Sequence, residues 1–278
     1  MIKKIIATAL GCAFSVSAVA EVSISGEYAW GHTNTNGATE TASDATLTIS
    51  SSTQLDNGMT VGADWNFDAT GANDGGNSLT VQGAFGKLDL GDTSSATDAI
   101  DDVTDWGYFQ TSGTDNVDHA VLYTLPSFVD GLTINASYAA DTNQDSNAGG
   151  SGVSARYDLG FAKVGYGVLD NDDNTEATLM NATFSVAGVG LGYEVYTVTD
   201  ASGVDTDDTA IGATYSIGDV TLAYENTTVE SAGTTSADTT AFGVHYAIAS
   251  ELTAFAETSE DDKTADSKST TIGLVYAF

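Results

Sequence analysis

Along most of this chain apolar and polar residues take turns one for one, rather than recurring every three or four positions. Val22, Ile24, Tyr28 and Trp30 alternate with Ser23, Ser25, Glu27 and Ala29, and Val61, Ala63, Trp65 and Phe67 alternate with Thr60, Gly62, Asp64 and Asn66. The same period of two returns in 131–140, 188–197 and 239–248. A strand sends successive side chains to opposite faces, so these runs predict half-buried strands and argue against amphipathic helices. Sixteen such segments can be placed, near 21–31, 44–53, 57–67, 78–85, 87–91, 118–125, 131–140, 150–158, 160–169, 176–185, 188–197, 208–216, 218–225, 239–248, 250–257 and 268–278.

The connections carry a second pattern. Short ones, such as 85–87, 158–160, 185–188, 217–218 and 249–250, alternate with long ones at 32–43, 68–77, 92–117, 141–149, 170–175, 198–207, 226–238 and 258–267. Short turns at one end, long loops at the other and an even strand count describe an all-β fold, a transmembrane antiparallel up-and-down β-barrel. A soluble sandwich shares the alternation of residues but seldom the alternation of loop lengths. In a large barrel the polar side of each strand lines a wet lumen and the apolar side meets lipid. The last segment agrees, since Ile272, Leu274, Tyr276 and Phe278 share one parity and end the chain on an aromatic ring. The end of a soluble domain usually frays, whereas the last strand of a barrel pairs with the first and removes the sheet edges. Tyr276 and Phe278 are therefore expected to mark closure and to act as the signal read by the barrel-assembly machinery.

The opposite end reads Met1-Ile2-Lys3-Lys4, then an apolar stretch to Ala18-Val19-Ala20. A basic start, a short apolar run and small residues at A-x-A spacing predict a signal peptide over 1–20, leaving one barrel domain over 21–278. The apolar run is short for a membrane anchor, and the residues before Cys12 fit a lipidation signal poorly. Removing the segment leaves no cysteine, and five basic residues facing 39 acidic ones, a net charge of −34. Phosphates would repel such a protein, which excludes nucleic acid as a partner. Twelve Tyr, ten Phe and three Trp argue that this acidity belongs to a folded chain rather than a disordered one.

Several short motifs resemble the general porins of Gram-negative bacteria. Tyr123-Thr-Leu-Pro126-Ser-Phe128-Val-Asp-Gly131-Leu is similar to their Y-x-S-P-x-F-x-G turn and holds the single proline. Gln54-Leu55-Asp56-Asn57-Gly58-Met59 resembles the turn into their third strand, and Phe85-Gly86-Lys87-Leu88-Asp89-Leu90-Gly91 resembles the strand before their third loop. With Val22-Ser-Ile-Ser-Gly26 and Phe278, five motifs occur in the family's order. The resemblance implies a 16-stranded barrel in the bacterial outer membrane, usually a homotrimer, through which small hydrophilic solutes and cations diffuse. It also implies that the third loop, 92–117, folds into the lumen, and the loop's length independently suggests a functional role.

Porins of this family oppose acidic residues on the third loop with a basic cluster on the wall. Here the pattern departs: Asp92 stands where the strand motif carries Arg, Asn116 where another Arg is usual, and the first three strands have no basic residue. The acidic constriction set is Asp92, Asp98, Asp101, Asp102 and Asp105 on the loop, with Glu27 and Asp64 from the wall. The basic wall residues are Lys87, Arg156 and Lys163, each on the polar parity of its strand. Rings of carboxylates favour cations in a pore, so the expected channel is cation-selective. Asp101, Asp102 and Asp105 are also a candidate Ca²⁺ site, the one possible cofactor. The outer loops, with Asp170-Asn-Asp-Asp173, Asp205-Thr-Asp-Asp208 and Glu260-Asp-Asp262, suit divalent bridging to lipopolysaccharide.

No nucleophile elbow, zinc spacing or phosphate loop is present, and His32, His119 and His245 are scattered, so the residues do not suggest an enzyme. A channel preferring one substrate is the neighbouring alternative. A secreted acidic β-rich adhesin is the alternative from another class.

Overall fold

The computed structural model describes residues 21–68, 76–101, 117–139, 149–171 and 174–278. The predicted signal peptide lies outside them. Among the described residues the strands are β1 (Glu21–Thr35), β2 (Ala38–Gln54), β3 (Thr60–Asp68), β4 (Asn77–Gly83), β5 (Gly86–Thr93), β6 (Val117–Thr124), β7 (Leu132–Ala139), β8 (Gly150–Asp158), β9 (Ala162–Asn171), β10 (Glu176–Val186), β11 (Val189–Thr199), β12 (Asp205–Ile217), β13 (Val220–Ser231), β14 (Thr234–Ala249), β15 (Leu252–Asp261) and β16 (Ser269–Ala277). Each pairs antiparallel with its sequence neighbours, and β16 returns to β1, closing the barrel. The sixteen predicted segments each overlap one strand.

Alternation sets what faces where. Val22, Ile24, Tyr28 and Trp30 stand exposed on the outer face of β1, as do Tyr166 on β9, Tyr193 on β11 and Phe242 on β14. Their neighbours of opposite parity point inward: Ser23, Ser25 and Glu27 on β1, Asp64 on β3, Glu194 on β11, Glu225 on β13. An outward apolar belt around a polar interior suits a sheet with lipid outside and water within.

Closure depends on the last residue. The N–H of Phe278 donates to the Gly26 carbonyl and the N–H of Gly26 donates to the Phe278 carbonyl, both at 3.0 Å. The Phe278 ring stacks with Tyr276 at 5.9 Å and lies over Gly26. A β-carbon added at Gly26 would stand 2.7 Å from the Thr46 carbonyl and 2.8 Å from Phe278 Cζ. The glycine thus leaves the seat that the terminal ring occupies.

The loop pattern needs a correction. Residues 32–43 and 226–238, expected as long connections, are mostly strand, and the turns shrink to Asn36–Gly37 and Ala232–Gly233. All four of these residues have positive φ (51°, 86°, 50° and 75°), the geometry of a two-residue hairpin turn that matches strand twist. The 198–207 and 258–267 connections shorten in the same way, because β12 begins at Asp205 and β15 runs to Asp261. The reason is physical. Hydrophobic alternation ends where lipid ends, but the hydrogen-bonded ladder continues into Thr, Ser, Asp and Glu residues that carry no apolar signal.

Replacing Gly26 by Val should displace the Phe278 ring and weaken closure, at a cost of roughly 1–3 kcal/mol for forced overpacking. The measurement is the fraction of heat-modifiable, fast-migrating species on an unboiled gel, and a wild-type fraction would show that closure does not depend on this seat.

Candidate pore constriction

The constriction begins where β5 loses its register. Gly91 has φ +108°, and the pairing with β6 shifts between Gly91 and Thr93. This bulge turns Asp92 toward β4, where its Oδ2 accepts the Asn77 N–H at 2.7 Å. Asp92 thus holds the start of β4.

The chain then lies against the inner wall. Ser95 Oγ accepts the Asp98 N–H at 3.1 Å, starting a short 3-10 turn over Asp98–Ile100, and the Ser95 and Thr97 hydroxyls meet at 2.8 Å. On β7, Ser137 Oγ accepts the Ala96 N–H at 2.9 Å. On β10, the Asn181 side-chain amide donates to the Ile100 carbonyl. Ala96, Thr97 and Ile100 are fully buried, a seat given by two glycines of β9. A β-carbon at Gly167 would stand 3.0 Å from Thr97 Cγ2, and one at Gly165 would stand 3.2 Å from Ile100 Cδ1 and run into the Asn181 side chain. Small residues on the lumen parity of β9 therefore form a floor, and Ile100 is the apolar peg set on it. The described start of the third loop, 92–101, lies against the lumen side of the wall, where its length and the family resemblance place the loop.

This seating brings acids together. Asp101 is in direct contact with Glu194 of β11, and Asp208 of β12 stands close enough to feel the same carboxylate. Glu194 is 3% exposed, and the Asn181 amide reaches its Oε2 at 3.4 Å. Asn181 therefore touches both the loop and the wall carboxylate. Asp98 lies near Tyr196 of β11. Of the wall acids expected at the constriction, Glu27 sits inward on β1 between Thr46 and Ala277, and Asp64 sits inward on β3, with Ser78 Oγ 3.5 Å away. Neither hydrogen-bonds to the described part of the third loop. Asp102 and Asp105 lie outside the described residues, and with them the candidate Ca²⁺ site. Among the described residues no group of three or more His, Cys, Asp or Glu side chains is arranged to hold a metal.

The basic residues occupy the inward parity of the same side of the barrel. Lys87 Nζ stands 3.0 Å from Asp89 Oδ2, and Thr80 donates to the other oxygen of that carboxylate at 2.6 Å. Arg156 pairs in register with Thr133 and Gly165, and Lys163 with Asp158. On the β14–β15 wall, His245 Nε2 meets Glu257 Oε1 at 2.7 Å beside the Phe255 ring.

Sequence reasoning did not single out Ile100, Asn181, Gly165 or Gly167. The Gly-Tyr-Gly run on a polar parity and the lone apolar Ile100 inside an acidic loop were the available signals. His245 and Glu257 are 12 residues apart and meet only through the β14–β15 register.

A closed barrel with a water-facing interior and an in-folded loop defines a transmembrane channel. The family model described as Gram-negative porin matches residues 7–277. This chain belongs to that family, whose members are channels of the outer membrane. Solved structures agree in fold. A porin refined at 1.8 Å resolution has a TM-score of 0.77 at 19% identity, covering 93% of this chain and all of its own. The trimer form of OmpT from Vibrio cholerae gives 0.76 at 15% identity, covering 94% of this chain and 100% of its own. An anion-selective porin from Comamonas acidovorans gives 0.73 at 14% identity, with 94% and 100% covered. No curated protein matches the chain.

Replacing Asn181 by Leu should leave the buried Ile100 carbonyl without its donor, a loss of about 1–3 kcal/mol, and loosen the loop. Single-channel recordings should then show frequent substate flicker; a trace as quiet as the wild type would mean that the loop is anchored elsewhere.

Proposed function

We propose that this chain forms a water-filled, cation-preferring channel for passive diffusion of small hydrophilic solutes across the outer membrane, without enzymatic chemistry. The observation that carries the reading is the sign of the inward side chains. Acidic side chains enter the lumen from several strands (Glu27, Asp64, Asp208 and Glu225) and from the loop (Asp101). Of the three inward basic residues, Lys87 is held against Asp89 at 3.0 Å, and Arg156 and Lys163 are outnumbered by the inward acids. A low-dielectric wall focuses the remaining negative field along the water path, raising the local concentration of cations.

The fold alone does not choose the sign, since the Comamonas porin described as anion-selective shares it. Preference must come from the side chains at the narrow part. Trimeric assembly and export to the outer membrane after cleavage near Ala20 belong to the same reading, the first supported by the trimer form of the Vibrio protein.

The test is the reversal potential of the channel in planar bilayers under a KCl gradient, which should have the sign of K⁺ preference. A carboxylate about 4 Å from a cation in water contributes about 1 kcal/mol, so Asp101→Asn with Asp208→Asn should lower the K⁺/Cl⁻ ratio by a factor of about five or more. Chloride preference in the wild type would overturn the reading, and an unchanged ratio in the double variant would move the filter away from this loop. Assembly is tested separately by the mass of the unboiled, detergent-extracted complex, which should correspond to three copies; a one-copy mass would remove the trimer.

A further inference from the structure

Three acids of the inner wall are buried among the described residues: Asp89 and Glu257, each 6% exposed, and Glu194, 3% exposed. Asp89 faces Lys87 at 3.0 Å and Glu257 faces His245 at 2.7 Å. Glu194 is different, for the ionisable group in hydrogen-bond contact with it is another acid, Asp101 of the third loop. An ionised carboxylate only accepts, so two carboxyl groups bond to each other only through a proton on one of them. Like charges held in contact also resist joint ionisation, and such a pair titrates as a unit.

The surroundings of the pair are mixed. Asp208 of β12 adds a further acid beside both, and Asp98 lies near Tyr196, two residues along β11. The Asn181 amide reaches Glu194 Oε2 at 3.4 Å from β10. Arg156 of β8 shares the inward row through Gly165 and Asn181, and Lys163 is the next inward residue of β9. On the other side, Glu225 of β13 pairs with Gly212 of β12.

We propose that Glu194 is a positioning residue of the channel: its carboxyl donates a hydrogen bond to Asp101 and so ties the third loop to β11 through one proton. This rests on the channel reading and not on the ion that the channel prefers. Glu194 is the donor because it is sunk in the wall, whereas Asp101 stands half-exposed to lumen water, where a charge costs less. The backbone contacts of the seat, Ser137 to Ala96 and Asn181 to Ile100, carry no titratable group. Losing the proton therefore leaves them in place and turns the adjoining contact at Asp101 from a bond into a repulsion, which Asp208 reinforces. The tie is present at acid and neutral pH and is lost as pH rises.

The experiment is single-channel recording of the full-length mature protein in planar bilayers at about pH 7.5 and about pH 9. Ordinary Asp, Glu, Tyr and Lys side chains keep their charge across that window. The wild type should be quiet at the lower pH and spend about ten times longer in substates at the higher, equivalent to about 1.4 kcal/mol. Glu194→Gln, whose amide donates without a titratable proton, should be quiet at both. Glu194→Leu, which cannot donate, should flicker at both. Wild-type traces indifferent to pH overturn the proposal, as does a pH response that survives in Glu194→Gln. These two proteins decide the matter even where the leucine variant does not assemble, which heat-modifiable mobility reports. The reversal potential is read from the same traces, so failure of the cation reading is distinguishable from failure of this one.

Discussion

A backbone N–H or C=O left unpaired in hydrocarbon costs several kcal/mol, and a sheet that crosses a membrane has no water to relieve it. That constraint governs this chain more than any core does. Its buried apolar cluster is small, centred on Ala29, Phe255 and Val275, while many of its large apolar side chains stand on the outer surface. Stability comes instead from a ladder with no loose edge. The two hydrogen bonds between Gly26 and Phe278 complete that ladder, and the terminal ring rests on a residue without a side chain. An aromatic end is thus part of the sheet rather than a tail.

The same logic explains the interior. A lumen wall need only be wet, so most inward positions accept Ser, Thr, Asn or Gly without penalty. Where the third loop lands, the wall must do more. Gly165 and Gly167 clear the space, Ile100 fills it, and Ser137 and Asn181 take the backbone groups that the loop would otherwise bury unpaired. The loop is therefore seated by a small packed contact of the kind found inside soluble proteins. Its effect is to fix Asp101 beside Glu194 and Asp208.

Most of the architecture was legible in residue order, because lipid outside and water inside impose a period of two along the strands. The strand ends were less legible. Beyond the bilayer the outer face of β1 and β2 turns polar, and the alternation fades while pairing continues to Thr35 and Ala38. Asn36-Gly37 is nonetheless a strong hairpin signal by itself, and reading it would have shortened the first loop. Ala232-Gly233 carried no such warning, since alanine at φ 50° is uncommon. At the constriction, composition indicated an acidic lumen but not which acids converge. Asp92 shares a loop with Asp101, yet one bulge at Gly91 sends it to β4, and a bulge leaves little trace in hydrophobic pattern.

Sign preference in such a channel is a matter of where charges are neutralised, not of how many the chain carries. Asp89 is met by Lys87 and Thr80, and Glu257 by His245, so each of these carboxylates acts on an ion mainly through what its partner leaves uncompensated. The pair Asp101 and Glu194 differs, for its close neighbours are Asn181, a neutral amide, and Asp208, a further acid. Arg156 shares their inward row, in register with Gly165, which pairs with Asn181 and through it with Glu194. On the proposed reading, an ion crossing beside the third loop meets the charge of Asp101 and Asp208 set against that of Arg156. A barrel of the same shape with basic side chains at those inward positions would favour the opposite ion, which is how one fold serves channels of either preference.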